Sequence, residues 1–224
     1  MHPFNLPEWA IARGAALNSF DRLDPARTAL VVIDMQAAFV GEGEVFGKAS
    51  ARDTIPPINQ LCAAFRAWGA PVIWTRQTTG NAPPLAMPAW QYDLTDPMVA
   101  RAVDALRPGC PSHALDPAMD WQPGDITIDK YRYGAFSCPA GALEGRLARE
   151  GIGMLVLVGT LTNVCVESTA REANMRGYKV IVAGDACSAV TDAEQDAALL
   201  NLRINFADVK RVKEVLTMTK GAAA

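Results

Sequence analysis

A cysteine held in the turn between a strand and a helix is the residue of this chain whose setting most favours nucleophilic chemistry. Cys165 closes the segment Gly159-Thr-Leu-Thr-Asn-Val-Cys165, directly after the apolar run MLVLV and directly before the helical stretch VESTAREANMRG. In the first turn of a helix the backbone N–H groups lack intrahelical partners and the macrodipole presents its positive end, so a thiol there is expected to ionise more readily. The same N–H groups can hold the oxyanion formed when a thiolate adds to a carbonyl, and Thr162 or Asn163 is placed to cap the helix. An isolated intracellular cysteine is more often a small buried hydrophobe. The strand, turn and helix around Cys165 argue against that role here.

A thiol nucleophile needs a base to take its proton and return it to a leaving amine. Asp34 ends the run ALVVID and Lys130 follows DITID. If both runs are parallel strands, the two side chains emerge at the same sheet edge as Cys165. Asp34 would serve as the base, and the Lys130 ammonium would favour both carboxylate and thiolate in a partly desolvated pocket. Singly, an aspartate at a strand end is more often a turn former and a lysine a solvated surface group; the convergence of three such groups on one rim is harder to set aside. The other thiols have weaker settings. Cys62 lies in the apolar helical pattern INQLCAAF, Cys110 and Cys138 lie beside prolines, and Cys187 follows a strand. Five cysteines, odd in number and without a CxxC pair, disfavour a disulfide framework and a zinc knuckle. With only His2 and His113 present, a Cys/His dyad would rest on His113 alone, and no histidine-based metal cluster can form. Neither a metal nor a cofactor is called for, and no phosphate-binding or dinucleotide-binding loop occurs.

The elements that must position these groups are legible as an alternation. Short β-branched runs at 29–33, 71–75, 125–128, 154–158 and 179–183 are nearly continuous in apolar character, as expected of strands covered on both faces of a parallel sheet. Stretches of helical spacing lie between or beyond them at 55–68, 97–106, 141–150, 165–176 and 192–206. This β-α-β order with right-handed crossovers gives an open α/β sheet with helices on both faces, and ligands then sit beyond the carboxyl ends of the strands. The proline-rich stretches 81–88 and 107–123 read as loops able to cover a site. One domain at 25–218 is expected, with residues 1–24 as an arm packed on this or a neighbouring subunit and 219–224 as a disordered tail.

Composition sets the remaining bounds. Half of the 224 residues are hydrophobic and one fifth charged, which suffices for a buried core. The net charge of −3, without blocks of like charge, gives no electrostatic footprint for nucleic acid or anionic membrane, so the expected partner is a small-molecule substrate. Neither a signal-peptide pattern nor an apolar run of spanning length occurs, and the chain reads as cytoplasmic.

Three strings in this order, TALVVIDMQAAFV, IDKYRYGAF and VLVGTLTNVCVESTAREANMRGYKVIVAGDAC, closely resemble the isochorismatase-like cysteine hydrolases and together span most of the chain from Thr28 onward. The resemblance implies a three-layer α/β/α sandwich with a mostly parallel six-stranded sheet and a catalytic triad of Asp34, Lys130 and Cys165. It further implies a cis peptide between Thr160 and Leu161, an oxyanion hole from the Leu161 and Cys165 N–H groups, and a homo-oligomer, dimer or tetramer. The wording NVCVEST is most similar to the ureidoacrylate amidohydrolase branch, which implies cleavage of a C–N bond in a small amide or N-carbamoyl (ureido) substrate through a thioester, without a metal.

Other outcomes within the fold are an isochorismatase-type vinyl ether hydrolase, a nicotinamidase-like amidase, and a non-enzymatic small-molecule binder or thiol-redox protein. The stretch 41–59 holds no histidine for the metal site of nicotinamidases, and true isochorismatases generally lack the cysteine. Gly134 stands where relatives often carry serine. Phe39, Trp74, Tyr133 and Phe136 are candidate pocket walls, with core packing an equal alternative, and Arg76 or Arg132 is a candidate partner for a substrate carboxylate.

Overall fold

A strand buried on both faces must lie between two layers of helices, and the two most apolar runs of the chain do so. In a computed structural model, which describes residue 2 and residues 5–220, β1 (Thr28–Ile33) and β4 (Met154–Thr160) are buried at every position and pair with each other at the centre of the sheet. The remaining strands are β2 (Val72–Gln77), β3 (Ile126–Lys130), β5 (Lys179–Ser188) and β6 (Asp208–Lys210), in the order β3-β2-β1-β4-β5-β6. All five pairings are parallel, so the sheet is entirely parallel where a mostly parallel one was expected. The chain builds outward from β1 to β3 and then returns to β1's other side with β4. That reversal opens a crevice at the carboxyl ends of β1 and β4, the usual ligand position in such sheets.

Nine α-helices connect or flank the strands among the described residues: α1 (Glu8–Ala15), α2 (Ala37–Val40), α3 (Ala49–Arg52), α4 (Ile55–Ala67), α5 (Pro97–Ala105), α6 (Ala142–Arg149), α7 (Glu167–Met175), α8 (Asp192–Asn201) and α9 (Val212–Lys220). Strand alternation divides the core into two layers. Leu30 and Val32 of β1 pack with Ile58, Leu61 and Phe65 of α4 and Val215 of α9; Val31 and Ile33 pack with Leu143 and Leu147 of α6 and Ala170 and Ala173 of α7.

Several elements differ from the sequence expectation. β6 is only three residues long, too short to stand out as an apolar run. The helical stretch expected at 192–206 ends in a five-residue π-helical turn, Leu202–Phe206, and the one expected at 165–176 begins inside another, Thr162–Val166, which starts three residues earlier. The N-terminal arm is anchored on its own chain: Arg203 donates to the carbonyls of Ile11 and Asn18, both at 2.9 Å, and a side chain on Gly14 would overlap the Arg203 carbonyl. The last helix runs to Lys220, two residues into the segment 219–224 expected as a disordered tail; the rest of that segment lies outside the described residues. Among the described residues no helix is long and apolar enough to cross a membrane.

Candidate active site

Three strands deliver the charged pair. Lys130 is the last residue of β3, Asp34 follows β1, and β2 lies between them. Alternation along β1 would send Asp34 toward the α4 layer, but a positive φ of 51° breaks the strand there and turns the residue. Its N–H donates to the Thr75 carbonyl at 3.2 Å, and its Oδ1 accepts from Thr75 Oγ1 at 2.7 Å. Lys130 crosses β2 to bring Nζ to 2.7 Å from Asp34 Oδ2, and donates to Gln77 Oε1 at 2.6 Å and to the Arg132 carbonyl at 3.2 Å. Both members of the pair are fully buried. Burial by itself would drive the Lys130 ammonium to lose its proton; the charges of Asp34 and Cys165 outweigh it and raise the Lys130 pKa. The Asp34 carboxylate thus faces the Lys130 ammonium on one side and the Cys165 thiol on another.

Cys165 is 6% exposed and packs in the α6–α7 layer, in electrostatic contact with both Asp34 and Lys130. Its thiol is pushed up to about 12, chiefly by burial, with Asp34 also opposing ionisation and Lys130 favouring it. The expectation of a lowered pKa is therefore overturned. Cys165 is the fourth residue of a π-helical turn rather than part of a regular first turn, and desolvation exceeds what the helix end supplies. The expected cap is absent as well: no side chain caps this turn, and Thr162 Oγ1 instead donates to Gln195 Oε1 at 2.6 Å.

Gln195 holds the turn against the next strand. Its Nε2 donates to the carbonyls of Gly184 and Cys187, and its Oε1 accepts from Ala189 N as well as from Thr162. The Thr160–Leu161 peptide is cis. Gly159 has φ +115°, and a Cβ there would overlap the Ile33 carbonyl, so only glycine lets β4 approach β1 this closely.

The segment after Lys130 is stapled to α7. Ala135 N donates to Thr169 Oγ1 at 3.1 Å, while the Glu172 carboxylate accepts from Phe136 N, Ser137 N and Ser137 Oγ. That carboxylate occupies the space a Cβ on Gly134 would need, which is the physical reason for glycine here. Arg132 donates to the carbonyls of Pro84, Leu85 and Tyr131, fastening the proline-rich loop, so its donors serve backbone rather than a carboxylate. Tyr133 Oη lies 3.2 Å from Tyr92 Oη and accepts from Gln91 Nε2 at 3.1 Å.

The other candidate site residues are not brought to the triad. Trp74 is wholly buried in the α4 layer, on the sheet face opposite Cys165, with Nε1 donating to Asp125 at 2.8 Å. Arg76, two residues on and so on the same face as Trp74, donates to Asp129 Oδ1 at 2.7 Å. Phe39 stacks on Phe46 in the α4 layer. Phe136 shares the Cys165 layer but packs on Tyr178 and beneath the Arg176 guanidinium, beyond the far end of α7. His113 accepts or donates with Thr78 Oγ1 at 2.9 Å and faces Arg76 and Asp129; burial lowers its pKa.

Thr75, Gln77, Gln195, Glu172 and Tyr92 had not been singled out from the sequence. For two of them a signal was present: Thr75 and Gln77 interrupt the apolar run VIW at its carboxyl end, where polar residues in a buried strand require partners.

The chain is similar to known proteins along most of its length. Residues 28–214 match the Isochorismatase domain family. The ureidoacrylate amidohydrolase RutB of Pseudomonas syringae pv. syringae is 34% identical over 210 residues, covering 88% of this chain and 85% of the relative. RutB of Methylobacterium radiotolerans is 35% identical over 205 residues, covering 85% and 78%. A cysteine hydrolase structure from Pseudomonas syringae pv. phaseolicola is similar with a TM-score of 0.81 and 28% identity, covering 92% of this chain and 98% of that one. An N-carbamoylsarcosine amidase from Thermoplasma acidophilum gives 0.66 at 25% identity, covering 83% and 96%.

Proposed function

Because the chain belongs to the isochorismatase family, we propose that it is a cysteine-dependent amidohydrolase, cleaving the C–N bond of a small amide or N-carbamoyl (ureido) substrate through a thioester. It is a hydrolase of carbon–nitrogen bonds other than peptide bonds. The observation that carries the cysteine mechanism is the fully buried Asp34–Lys130 pair in contact with Cys165.

A thiol pushed up to about 12 is protonated at rest, so the proton must leave as the sulfur attacks. Asp34 Oδ2 takes it. The buried site then changes from carboxylate, ammonium and thiol to carboxyl, ammonium and thiolate, and its net charge stays zero throughout, which low-dielectric surroundings favour. Sulfur adds to the carbonyl carbon, and the N–H groups of Leu161 and Cys165 hold the oxyanion. Asp34 returns the proton to the leaving nitrogen, ammonia or an amine departs, and a thioester remains. Water, losing its proton to the same carboxylate, then adds to the thioester and releases the acid and the Cys165 thiol. Ureido substrates are favoured because RutB is named a ureidoacrylate amidohydrolase and a structural neighbour an N-carbamoylsarcosine amidase.

The test is ammonia release from a panel of small ureido acids, primary amides and nicotinamide, with Cys165→Ala alongside. Release from a ureido acid that disappears in the variant is expected. Release that persists in Cys165→Ala, or none from any member of the panel, would overturn the proposal.

A further inference from the structure

The turn that carries Cys165 is fastened by its side chains to one corner of the fold, the end of β5 and the first turn of α8. Thr160 Oγ1 donates to the Ser188 carbonyl at 3.1 Å, Thr162 Oγ1 donates to Gln195 Oε1 at 2.6 Å, and Asn163 Nδ2 reaches Glu194 Oε1 at 3.5 Å. The shortest of these joins two enclosed groups, Thr162 at 0% and Gln195 at 1% exposure. The corner is itself well defined: the Thr191 hydroxyl and the Glu194 carboxylate cap α8 reciprocally, which sets where Gln195 enters.

Gln195 fills a gap in the sheet. From the pair Leu157–Val182 to the pair Gly159–Cys187, β4 advances two residues and β5 five, so β5 bulges away from its partner just before the nucleophile turn. Gln195 Nε2 donates to the Gly184 carbonyl at 3.1 Å and the Cys187 carbonyl at 3.3 Å, within that bulge and at its end. Its Oε1 accepts from Ala189 N at 3.0 Å and from Thr162. Both protons of the amide nitrogen and both lone pairs of the amide oxygen are engaged. Carbonyls only accept and a backbone N–H only donates, so the amide has one orientation and the Thr162 hydroxyl is the donor. A glutamate would set an oxygen against two carbonyls, and an asparagine falls a methylene short.

What Gln195 holds is reactive backbone. The Leu161 carbonyl accepts from Val164 N at 3.1 Å and Val166 N at 3.2 Å, so the turn Thr162–Val166 winds on the residue next to Thr162. We infer that Gln195 is a positioning residue for the reaction: through the Thr162 hydroxyl it fixes the turn that presents the Cys165 thiol and aims the Leu161 and Cys165 N–H groups. This rests on the amidohydrolase reading for its effect on turnover, but not for its effect on the thiol. A misplacement of about 1 Å can cost on the order of 100-fold in rate, so a single hydrogen bond at this point is visible in kcat.

Thr162→Val removes the hydroxyl at nearly constant volume and leaves Gln195 its other bonds, Thr162→Ser keeps the hydroxyl, and Gln195→Met removes the amide. With a ureido acid that the wild type turns over, Thr162→Val and Gln195→Met should each lower kcat at least about tenfold, with KM within about twofold. Thr162→Ser should stay within about threefold of wild type, and the double variant should be no slower than Gln195→Met, because both act through one bond. A purely structural role would lower the unfolding midpoint and leave kcat of the folded protein unchanged. An unchanged kcat in Thr162→Val, or losses that multiply in the double variant, overturns the proposal. If circular dichroism shows Gln195→Met unfolded, Thr162→Val and Thr162→Ser decide alone. Alkylation of Cys165 by iodoacetamide at neutral pH, followed by mass spectrometry, reads the thiol without turnover. Thr162→Val should slow it at least about threefold, since a displaced thiol loses its base; an equal or faster rate overturns the proposal. Absence of Cys165-dependent ammonia release from wild type would instead refute the amidohydrolase reading and leave the alkylation comparison to decide.

Discussion

Replacing Lys130 with methionine removes the ammonium while keeping most of the side-chain volume, and the structure gives the cost. Asp34 is fully buried, and Lys130 Nζ, 2.7 Å from its Oδ2, is the cation that balances it. Removing one partner of a buried pair leaves an uncompensated charge, a loss of roughly 3–5 kcal/mol. Gln77 Oε1, also buried, loses its donor as well, which adds about 1–3 kcal/mol. Against a total stability of about 5–15 kcal/mol, Lys130→Met stands near the edge of folding. Asp34→Asn in the same chain removes the stranded charge while keeping an oxygen for the Thr75 hydroxyl. The double variant should therefore be more stable than Lys130→Met alone by about 2 kcal/mol or more. Urea unfolding of wild type, both singles and the double, compared at constant m, measures the coupling. Additive losses, with a coupling below about 0.5 kcal/mol, would refute the claim that Lys130 exists to neutralise Asp34.

Between pH 9.0, the ordinary value, and about 12, the unfolded chain gives up a Cys165 proton that the native state keeps, so stability falls as pH rises through that window. In Cys165→Ala the fall in unfolding free energy should be shallower by about 1.4 kcal/mol per pH unit. Lys130, with its pKa raised, acts in the same direction: its contribution is intact below 10.5 and lost as pH climbs beyond. Cys165 alkylation should also keep accelerating through pH 10 without a plateau near 9, read by mass spectrometry. Gly134→Ser should push the Glu172 carboxylate off the Phe136 and Ser137 N–H groups and cost about 1–3 kcal/mol, a thermal midpoint lower by about 2–4 °C for each; an unchanged midpoint would show that the loop yields freely. Arg76→Ala and Trp74→Phe lie on the other face of the sheet and should leave KM for a ureido acid within about twofold of wild type; a tenfold rise in either would return that residue to the pocket.

The parts legible from the sequence are those written in apolar runs. β1 and β4 announce themselves because burial on both faces leaves an unbroken apolar run in each, and Asp34 and Cys165 stand beyond their carboxyl ends. The short β6 and the four-residue helices α2 and α3 bury too few side chains to leave a period. The ionisation of Cys165 was misjudged because the helix-end effect is visible in a sequence, whereas the desolvation that exceeds it depends on the packing of α7 against β4. Gln77 is the partner of a lysine more than fifty residues away, and Thr75 that of an aspartate about forty residues away. Tyr92 belongs to a loop whose path depends on where Arg132 finds carbonyls.

The crevice between β1 and β4 divides the reaction machinery between two stretches of chain. Asp34 and Lys130 belong to the β1-β2-β3 half, Cys165 to the β4-β5-β6 half, and six parallel residue pairs from Thr28↔Met154 to Ile33↔Gly159 join them. Neither half holds both the base and the nucleophile. The exposed turn at Pro139, Ala140 and Gly141 falls between the halves, where a break would cross no strand. Fragments made there would each carry an incomplete set of reacting groups, so recovered turnover on mixing would report reassembly of the two halves, through the central seam together with the arm on Arg203, α4 on α9 and the 135–137 segment on α7. The two halves constitute a complementation pair, with catalysis as the readout of their assembly.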